Sequence, residues 1–315
     1  MTDKKTIAVL GATGRQGGGL ADAIFSASDG AFGVRALTRN PGSQKARALA
    51  SRGAEVVAAD LDDEESLRRA FDGAYGVFAV TNFWEHMSAK SELAQAANIA
   101  RAAKASGAAH IIWSTLEDTR PHLPTDRGTH PTLQGSYSVP HFDAKAEADR
   151  FFAYLGVPTT YLRTALYWEN FLDSLAPTRD ADDRLVLTLP IGDARLAGIA
   201  VQDIGLTALG IFTRGPALAR ETVSIAGQHL TGKEFAAAFS EVLGEEVVHQ
   251  PMDHHEFRAL PFPGAMEMGN MFQYYWAAET DFTGARDIEA VRSLNPRLQD
   301  FRTWLDEHSS HFISS

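Results

Sequence analysis

The segment Thr6–Gly19, TIAVLGATGRQGGG, decides the fold of this 315-residue chain. Its first part, Thr6–Leu10, is a short apolar run with isoleucine and valine, which is typical of a buried parallel strand. Its second part carries Gly11, Gly14 and Gly17 in the spacing G-x-x-G-x-x-G. This spacing between a strand and a helix predicts a dinucleotide-binding turn, because small residues let the backbone approach a pyrophosphate at the helix N-terminus. The alternative is a tight strand–helix turn that binds no ligand.

Strand-like and helix-like segments alternate from this turn onward. The further strands that we predict are Gly33–Arg39, Ala54–Ala59, Gly76–Val80, His110–Ser114 and Thr159–Arg163, and the predicted helices are Leu20–Phe25, Ser43–Arg52, Glu64–Phe71, Ser88–Ser106 and His141–Leu155. This rhythm predicts βαβ units with right-handed crossovers. We therefore expect an α/β fold, a Rossmann-type doubly wound parallel sheet.

The alternation stops beyond about residue 168. Leu185–Pro190 resembles a strand, Ile204–Phe212 resembles a helix, and Thr231 begins a capping box. We expect residues 1–168 to form the nucleotide-binding domain and residues 169–315 a smaller C-terminal α+β subdomain, with some segments returning to the first sheet. The smaller part is expected to form one wall of a cleft. The proline- and glycine-rich segment 117–140 predicts a long irregular loop, a type of segment that is usually functional or mobile.

The composition excludes several classes of protein. Hydrophobic residues are 44% and charged residues 22% of the chain, as in an ordinary globular protein rather than a disordered one. The chain has no cysteine, which excludes disulfide, thiol and iron–sulfur chemistry. The net charge of −11 argues against direct nucleic-acid binding, which needs a basic surface.

Location and metal binding give two further expectations. The chain shows no apolar run near the roughly 18 residues of a membrane-spanning helix and no signal-peptide pattern, so we expect a cytoplasmic protein without membrane contact. The pairs His254-His255 and His308/His311 lack the spacing of metal ligands, so we expect no metal site.

The end of the second predicted strand bears on the choice of cofactor. An NAD site places Asp or Glu there to hold the ribose 2′-hydroxyl, whereas this chain reads Leu37-Thr38-Arg39-Asn40-Pro41. The planar guanidinium of Arg39 suits a 2′-phosphate, and Lys45 or Arg47 would add charge. We therefore expect NADP(H) rather than NAD(H), the alternative being that Arg39 is an ordinary solvated side chain.

Residues after the third and fourth strands complete the predicted cofactor site. Open α/β sheets bind ligands at the C-terminal ends of their strands. Asp60 and Leu61 follow the third strand and are expected beside the adenine. Thr81, Asn82 and Phe83 follow the fourth strand and are expected beside the nicotinamide half.

Taken together, these motifs resemble the NmrA-like branch of the atypical short-chain dehydrogenase/reductases. The resemblance covers nearly the whole chain and is carried by GATGRQGG, LTRNP, GAEVV-x-x-D-x-DD, VTNFWE, VPHFDAKAE, GVPTTYLRTALYWENFL, LPFPGAMEMGNMFQYY and LNPRLQDFRTWLDEH. The last two are similar to the human NADPH-sensing member of that family. The resemblance implies NADP(H) bound at Gly11, Thr13, Gly14, Gln16, Gly17, Arg39, Asp60, Thr81 and Lys145. We also expect a cofactor contact from Arg15, which lies in the same turn. It also implies either a regulator that responds to NADP(H) through other proteins or a reductase.

The predicted catalytic position departs from the pattern of the short-chain reductases. Short-chain reductases use Tyr-x-x-x-Lys on one helix face, where the lysine holds the nicotinamide ribose and the tyrosine donates a proton. Lys145 is present here, but His141 stands four residues earlier, and no Tyr-x-x-x-Lys occurs in the chain. His141 is either a structural residue at the start of a helix or a replacement acid, since histidine titrates near neutral pH. Ser114 occupies the place of the substrate-orienting hydroxyl of the family.

Two other tyrosines and two functions remain open at this point. Tyr137, from the loop, and Tyr167, from a strand end, are alternative acids. One function is an NADP(H)-responsive regulator with a protein partner. The other is an NADPH-dependent reductase of a small or conjugated organic substrate in the cleft, assisted by Lys145 and His141. We expect a monomer or homodimer.

Overall fold

The structure is a computed structural model that describes residues 4–28, 30–125 and 127–313. The expected domains also include residues 1–3, 29, 126, 314 and 315, which lie outside the described residues. The chain divides into two compact units, which we describe separately. Over the described residues, the first contains Met1–Asp118, His141–Arg163 and Val201–Val223, and the second contains Thr119–Pro140, Thr164–Ala200 and Ser224–Ser315. The expected boundary at residue 168 stays a prediction.

Strands and helices alternate along the first half of the chain. They are β1 (Lys5–Val9), α1 (Arg15–Ser26), β2 (Phe32–Thr38), α2 (Gln44–Ser51), β3 (Glu55–Ala58), α3 (Glu64–Phe71), β4 (Gly76–Ala79), α4 (Phe83–His86), α5 (Ala89–Ser106), β5 (His110–Thr115), α6 (Pro140–Tyr154) and β6 (Thr159–Arg163). Side-chain caps begin α2, α3 and α5, where Ser43, Asp63 and Ser88 accept hydrogen bonds from backbone N–H groups. Asp63, for example, accepts hydrogen bonds from the backbone N–H groups of Glu65 and Ser66 at the start of α3.

The second half is less regular. Its elements are β7 (Leu166–Tyr167), β8 (Thr178–Arg179), β9 (Leu185–Leu187), β10 (Arg195–Ile199), α7 (Val201–Arg214), β11 (Thr222–Ser224), β12 (Gln228–Thr231), α8 (Gly232–Leu243), β13 (Val247–His249), α9 (His254–Arg258), α10 (Ala265–Ala277), α11 (Glu279–Gly284), α12 (Ile288–Leu294), α13 (Phe301–Glu307) and α14 (Ser309–Ile313). Short 3-10 helices cover Trp168–Leu172 and Gly215–Leu218.

The large sheet has the strand order β11-β6-β5-β4-β1-β2-β3. The strands from β1 to β6 pair in parallel, with Ile7 of β1 opposite Val34 of β2 and Gly76 of β4. The order reverses direction at β1, and this switch point is where open α/β sheets place ligands. The Rossmann-type doubly wound sheet, with a smaller α+β part towards the C-terminus, is therefore confirmed.

Helix α1 differs from its prediction in a physically informative way. It begins at Arg15 rather than Leu20, because its first turns contain glycines that give no helical pattern in the sequence. One of those glycines, Gly19, is needed for packing against α7. A Cβ atom on Gly205 would lie 2.1 Å from the carbonyl carbon of Gly19, so the two helix backbones are in direct contact there.

The second unit has its own aromatic core. The rings of Phe235 and Phe301 pack edge to face with centroids 4.7 Å apart, and Phe171 and Phe239 adjoin them. Its two three-stranded sheets have the orders β12-β10-β7 and β13-β9-β8. The capping box predicted at Thr231 is present at the start of α8.

The predicted loop 117–140 lies largely in the second unit, where α10 holds it. The side-chain amide of Asn270, which is fully buried, donates hydrogen bonds to the carbonyls of Pro131 (2.9 Å) and Ser138 (2.7 Å). Gln273, one turn further along α10, donates to the carbonyl of Thr129 at 3.2 Å. The loop is irregular, as predicted, but its backbone is tied to a helix over residues 129–138.

Within the described parts of the chain, no helix is long and apolar enough to cross a membrane.

Candidate functional site

The glycine turn has the geometry of a nucleotide cradle. Gly11 has a φ of +64°, a left-handed conformation that favours glycine, and its carbonyl accepts a hydrogen bond from the N–H of Gly14 at 2.8 Å. A Cβ atom on Gly17 would lie 2.5 Å from the carbonyl oxygens of both Leu10 and Gly11. The turn is therefore too tight for side chains at these positions, and it brings the N-terminus of α1 against the end of β1.

The other residues predicted in this turn lie around the same helix N-terminus. Arg15 and Gln16 are the first two residues of α1, with Arg15 exposed and Gln16 buried. The carbonyl of Thr13 accepts a hydrogen bond from the ammonium of Lys45 at 3.4 Å. Lys45 therefore brings a positive charge to the turn from α2, whereas Arg47 donates to the carbonyl of Gly42.

Arg39 lies just beyond β2 with its side chain 65% exposed, and it has a carboxylate partner that the sequence did not indicate. Its Nη2 is 2.9 Å from Oε2 of Glu85, on α4. The other oxygen of Glu85 accepts a hydrogen bond from the side-chain amide of Asn82 at 3.2 Å. Two predicted cofactor contacts, Arg39 and Asn82, therefore meet at one carboxylate.

The residues after β3 and β4 occupy the same edge of the sheet. Asp60 is exposed, and its carboxylate accepts a hydrogen bond from the N–H of Asp62 at 3.0 Å. Leu61 is half-buried and its carbonyl accepts from Asn98 at 2.8 Å. After β4, Thr81 and Phe83 are buried.

Thr81 belongs to a buried ionic cluster. The ammonium of Lys145 lies 2.8 Å from Oε1 of Glu92, and it donates hydrogen bonds to the hydroxyl (2.6 Å) and carbonyl (3.4 Å) oxygens of Thr81. The Thr81 hydroxyl in turn donates to Glu92. Lys145 also lies 5.1 Å above the ring of Trp113, which favours a cation. Lys145, which was expected to bind the nicotinamide ribose, therefore forms an ion pair with Glu92 in this structure.

His86 extends this cluster towards α4. Its Nδ1 accepts a hydrogen bond from the backbone N–H of Ser88 at 3.1 Å, so a neutral His86 ring carries its proton on Nε2. That atom lies 3.5 Å from Oε2 of Glu92. Both carboxylate oxygens of Glu92 therefore face polar groups, one Lys145 and the other His86.

The charge of Glu92 is stabilised despite its burial. Burial alone would raise the pKa of Glu92, but attraction to Lys145 and hydrogen bonds from His86, Lys145 and Thr81 lower it to about 2. Sequence reasoning missed Glu92. A signal was available, because Glu92, Ala96, Ile99 and Ala103 share the buried stripe of α5, and a carboxylate on a buried stripe requires a cation.

His141 lies in an aromatic environment one turn before Lys145. Its ring centroid is 4.9 Å from those of Trp84 and Phe142 and 5.8 Å from that of Phe83, and the residue is buried. His141 and Lys145 lie on one face of α6, as their spacing predicts. Trp84, in contrast, is 44% exposed, so the outer wall of this aromatic group is an accessible indole.

Asp149, a further turn along α6, is a half-buried carboxylate that the sequence did not indicate. Burial raises its pKa to about 6, against the opposing effects of a hydrogen bond from Thr115, the charge of Arg163, a hydrogen bond from Trp113 and the charge of Lys145. The Trp113 indole donates to Asp149 at 2.9 Å. Asp149 therefore holds a proton more readily than an ordinary aspartate.

The remaining catalytic candidates are placed as follows. Ser114 is buried within β5, one residue after Trp113. Tyr137 and Tyr167 belong to the second unit, where Tyr137 pairs its backbone with Leu133 and Tyr167 ends β7. Among residues 4–28, 30–125 and 127–313, no group of three or more His, Asp or Glu side chains is arranged to hold a metal ion.

These features fit a dinucleotide. The glycines let the turn between β1 and α1 close without side chains, and α1 presents its N-terminus there without a side-chain cap, as anion binding by backbone N–H groups requires. The cations Lys45 and Arg39 flank the turn, and Asp60 stands beyond β3.

A comparison with protein families agrees with this geometry. The NmrA-like family profile matches residues 3–304. The chain belongs to the NmrA-like family. Among curated members, the NmrA-like family domain-containing oxidoreductase FrzB of a Cladobotryum species is 30% identical over 266 residues, which cover 78% of this chain and 76% of FrzB.

Solved structures of the family share the fold. The crystal structure of NmrA, a negative transcriptional regulator, has a TM-score of 0.80 at 22% identity, covering 99% of this chain and 98% of that one. NmrA has also been solved in complex with NAD and with NADP. The triphenylmethane reductase of Citrobacter sp., complexed with NADP(H), has a TM-score of 0.75 at 21% identity, covering 97% and 99% of the two chains.

The buried Lys145–Glu92 pair predicts strong coupling between the two residues. Either Glu92→Gln or Lys145→Met should lower the free energy of unfolding by about 3 kcal/mol at pH 7, because each leaves one buried charge unpaired. The double variant should lose well under the sum of the two, since no lone charge remains. Urea unfolding of the four proteins measures this coupling.

Glu65→Gln, which alters an exposed pair with Arg69, is the control and should change stability by under about 1 kcal/mol. Additive losses would contradict the coupling.

The raised pKa of Asp149 predicts that this residue lowers the stability of the folded protein as the pH rises. Because its native pKa of about 6 exceeds the ordinary value of 3.8, the folded protein binds more protons than the unfolded chain between these pH values. Its contribution to stability is therefore favourable at low pH and is lost as pH rises through this window. Asp149→Asn keeps an acceptor for Trp113 without the charge, so the variant should gain on the wild type by up to about 3 kcal/mol between pH 4 and pH 7. Unfolding curves that stay parallel with pH would contradict this.

Proposed function

We propose that this protein binds NADP(H) at the C-terminal ends of β1 to β4 and responds to the bound cofactor. The observation that carries the proposal is the glycine turn at Gly11–Gly17 with Arg39 beyond the neighbouring strand. A guanidinium at this position recognises a 2′-phosphate bidentately, which a neutral ribose hydroxyl does not reproduce. The NADP(H) complex of the Citrobacter reductase is in keeping with this choice, whereas NmrA has been solved with both NAD and NADP.

The chain's own residues divide the binding between them. The N-terminus of α1 binds the pyrophosphate, and Arg39 with Lys45 provides positive charge for the 2′-phosphate. The Lys145 ammonium anchors the nicotinamide ribose by giving up its longest contact, the 3.4 Å one to the Thr81 carbonyl, while it keeps its ion pair with Glu92. When bound and reduced, the nicotinamide supplies a hydride.

Among the two roles, the regulator has the better support from the catalytic residues. The acid position of the short-chain reductases is occupied by His141, whose ring is packed among Trp84, Phe83 and Phe142. We therefore propose an NADP(H)-responsive regulator in the cytoplasm that acts through a protein partner. NmrA, whose fold this chain shares, is itself described as a negative transcriptional regulator.

A reductase is the second candidate, and a specific observation favours it. FrzB, 30% identical over three quarters of its length, is named an oxidoreductase. His141 and Lys145 share one face of α6, so a proton at His141 would lie on the same side as the ribose anchor. Hydride transfer to carbon in a conjugated acceptor also needs little acid catalysis.

Cofactor choice has a direct test. Arg39→Ala should weaken NADP(H) binding about tenfold or more and change NAD(H) binding little, because a charge-assisted pair with phosphate is lost. Isothermal titration calorimetry measures both ligands. The exposed Arg69→Ala serves as a control and should alter neither affinity. Equal losses for both cofactors would show that Arg39 does not read the 2′-phosphate.

Turnover decides between the two roles. For a regulator, we expect no oxidation of NADPH above the background rate with a panel of quinones, triphenylmethane dyes, imines and ketones, followed at the reduced nicotinamide absorbance. Turnover that is lost in His141→Phe and Lys145→Met, with both variants still folded by circular dichroism, would establish the reductase instead.

A further inference from the structure

The Arg39–Glu85 ion pair crosses the predicted nucleotide site. Arg39 follows β2 and Glu85 follows β4, and the strand order β4-β1-β2 places β1 between them. Neighbouring strands lie about 4.8 Å apart, so the pair spans roughly 10 Å over the end of β1. The glycine turn leaves the sheet at that same end.

Glu85 is held in place independently of Arg39. Its Oε1 accepts from the Asn82 amide at 3.2 Å, and its backbone N–H donates to the carbonyl of Asn82 at 3.2 Å. Both members of the ion pair are accessible to solvent, with Arg39 65% and Glu85 48% exposed. An incoming anion can therefore reach the guanidinium and displace the carboxylate without unfolding α4.

We propose that Glu85 is a specificity-determining residue that occupies Arg39 until a 2′-phosphorylated adenine nucleotide takes its place. The proposal rests on NADP(H) binding at the glycine turn, and it adds the residue that sets which nucleotides can open the pair. A ribose 2′-phosphate carries nearly two negative charges and three acceptor oxygens at neutral pH, so it competes with a carboxylate for one guanidinium. The 2′-hydroxyl of NAD(H) has no charge and leaves the pair closed.

Two consequences follow for affinity. Every 2′-phosphorylated ligand must break the ion pair and then lie beside the Glu85 carboxylate, so Glu85 weakens its binding. Non-phosphorylated nucleotides meet neither penalty. Because exposed ion pairs are worth about 1 kcal/mol or less, the effect on affinity is a few-fold rather than a thousandfold.

Replacement of Glu85 by a phosphate at Arg39 would also affect residues near the site. Repulsion between the bound phosphate and Glu85 acts on α4, the four-residue helix that carries Trp84 and His86. Trp84 packs on His141, and His86 faces Glu92, so a displacement of α4 reaches both the aromatic group and the buried ionic cluster. A phosphorylated cofactor therefore perturbs residues that a non-phosphorylated one leaves unchanged.

The test uses the full chain and four probes: adenosine 2′,5′-bisphosphate, 5′-AMP, NADPH and NADH. In calorimetric titrations at low salt, Glu85→Gln should bind the bisphosphate and NADPH about 3- to 10-fold more tightly than the wild type. Its affinities for 5′-AMP and NADH should stay within about twofold. The gain should shrink in 0.5 M salt, because exposed charges are screened.

Two further proteins make the result specific. Glu65→Gln makes the same change at an exposed glutamate paired with Arg69, and it should leave all four affinities unchanged. The double variant Arg39→Ala/Glu85→Gln should gain less over Arg39→Ala than Glu85→Gln gains over the wild type, because only the repulsion by Glu85 is then relieved and no guanidinium is freed.

Other outcomes overturn the proposal. Weaker NADH binding by Glu85→Gln with unchanged NADPH binding would make Glu85 a ligand of the ribose hydroxyl. Unchanged affinity for the bisphosphate and NADPH would show that the pair does not compete with ligand. If the wild type binds NADPH but Glu85→Gln gains nothing, the inference alone fails. If the wild type binds none of the four probes, the proposed function fails with it.

Discussion

The close approach of helix α1 to other backbone is the constraint on which the site depends. At its N-terminus, Gly17 packs directly on the carbonyls that follow β1, and two residues later Gly19 meets Gly205 of α7. Side chains at these places would push α1 outward and separate its N-terminal amides from the switch point of the sheet. Gly17 therefore keeps the N-terminus of α1 at the end of β1, where an anion would bind, and Gly19 keeps the helix packed on α7.

The ion pairs around this turn differ in their exposure to solvent. Lys145 and Glu92 are enclosed by protein, where attraction and hydrogen bonds offset the cost of desolvation. Arg39 and Glu85 stand in solvent, where their pair is weak and exchangeable. A rigid anchor lies beside the predicted nicotinamide half and an exchangeable contact beside the predicted adenosine half. This arrangement suits a site that holds a cofactor firmly and discriminates at its edge.

Local patterns in the sequence predicted the Rossmann part of the fold well. The apolar runs of β1, β4 and β5 and the glycine turn are short-range signals, and together they predicted a doubly wound parallel sheet, whose strand order the structure then provides. The start of α1 was misplaced because glycine conceals helical periodicity. The short helix α4 was missed because four residues give no period to detect.

The site was predicted less completely, because its missing members act through long-range pairing. Lys145 and Thr81 were identified, but Glu92 is separated from Lys145 by more than fifty residues and meets it only after folding. Glu85 shows no local sign of its partner Arg39. Residue spacing does not predict a carboxylate whose cationic partner is distant in the sequence. Glu92 is an exception, because it interrupts an apolar helix face.

The hydrogen bonds that the Asn270 side chain donates to the loop 117–140 differ from both the buried and the exposed ion pairs. Asn270 has no titratable group, and its two donated bonds end on backbone carbonyls that no substitution of a loop side chain removes directly. The side-chain oxygen of Asn270 in turn accepts a hydrogen bond from the Arg258 guanidinium at 3.3 Å. Because the two bonds to the loop join uncharged groups, we expect the attachment of residues 131–138 to change less with pH and salt than the ion pairs of the first unit do.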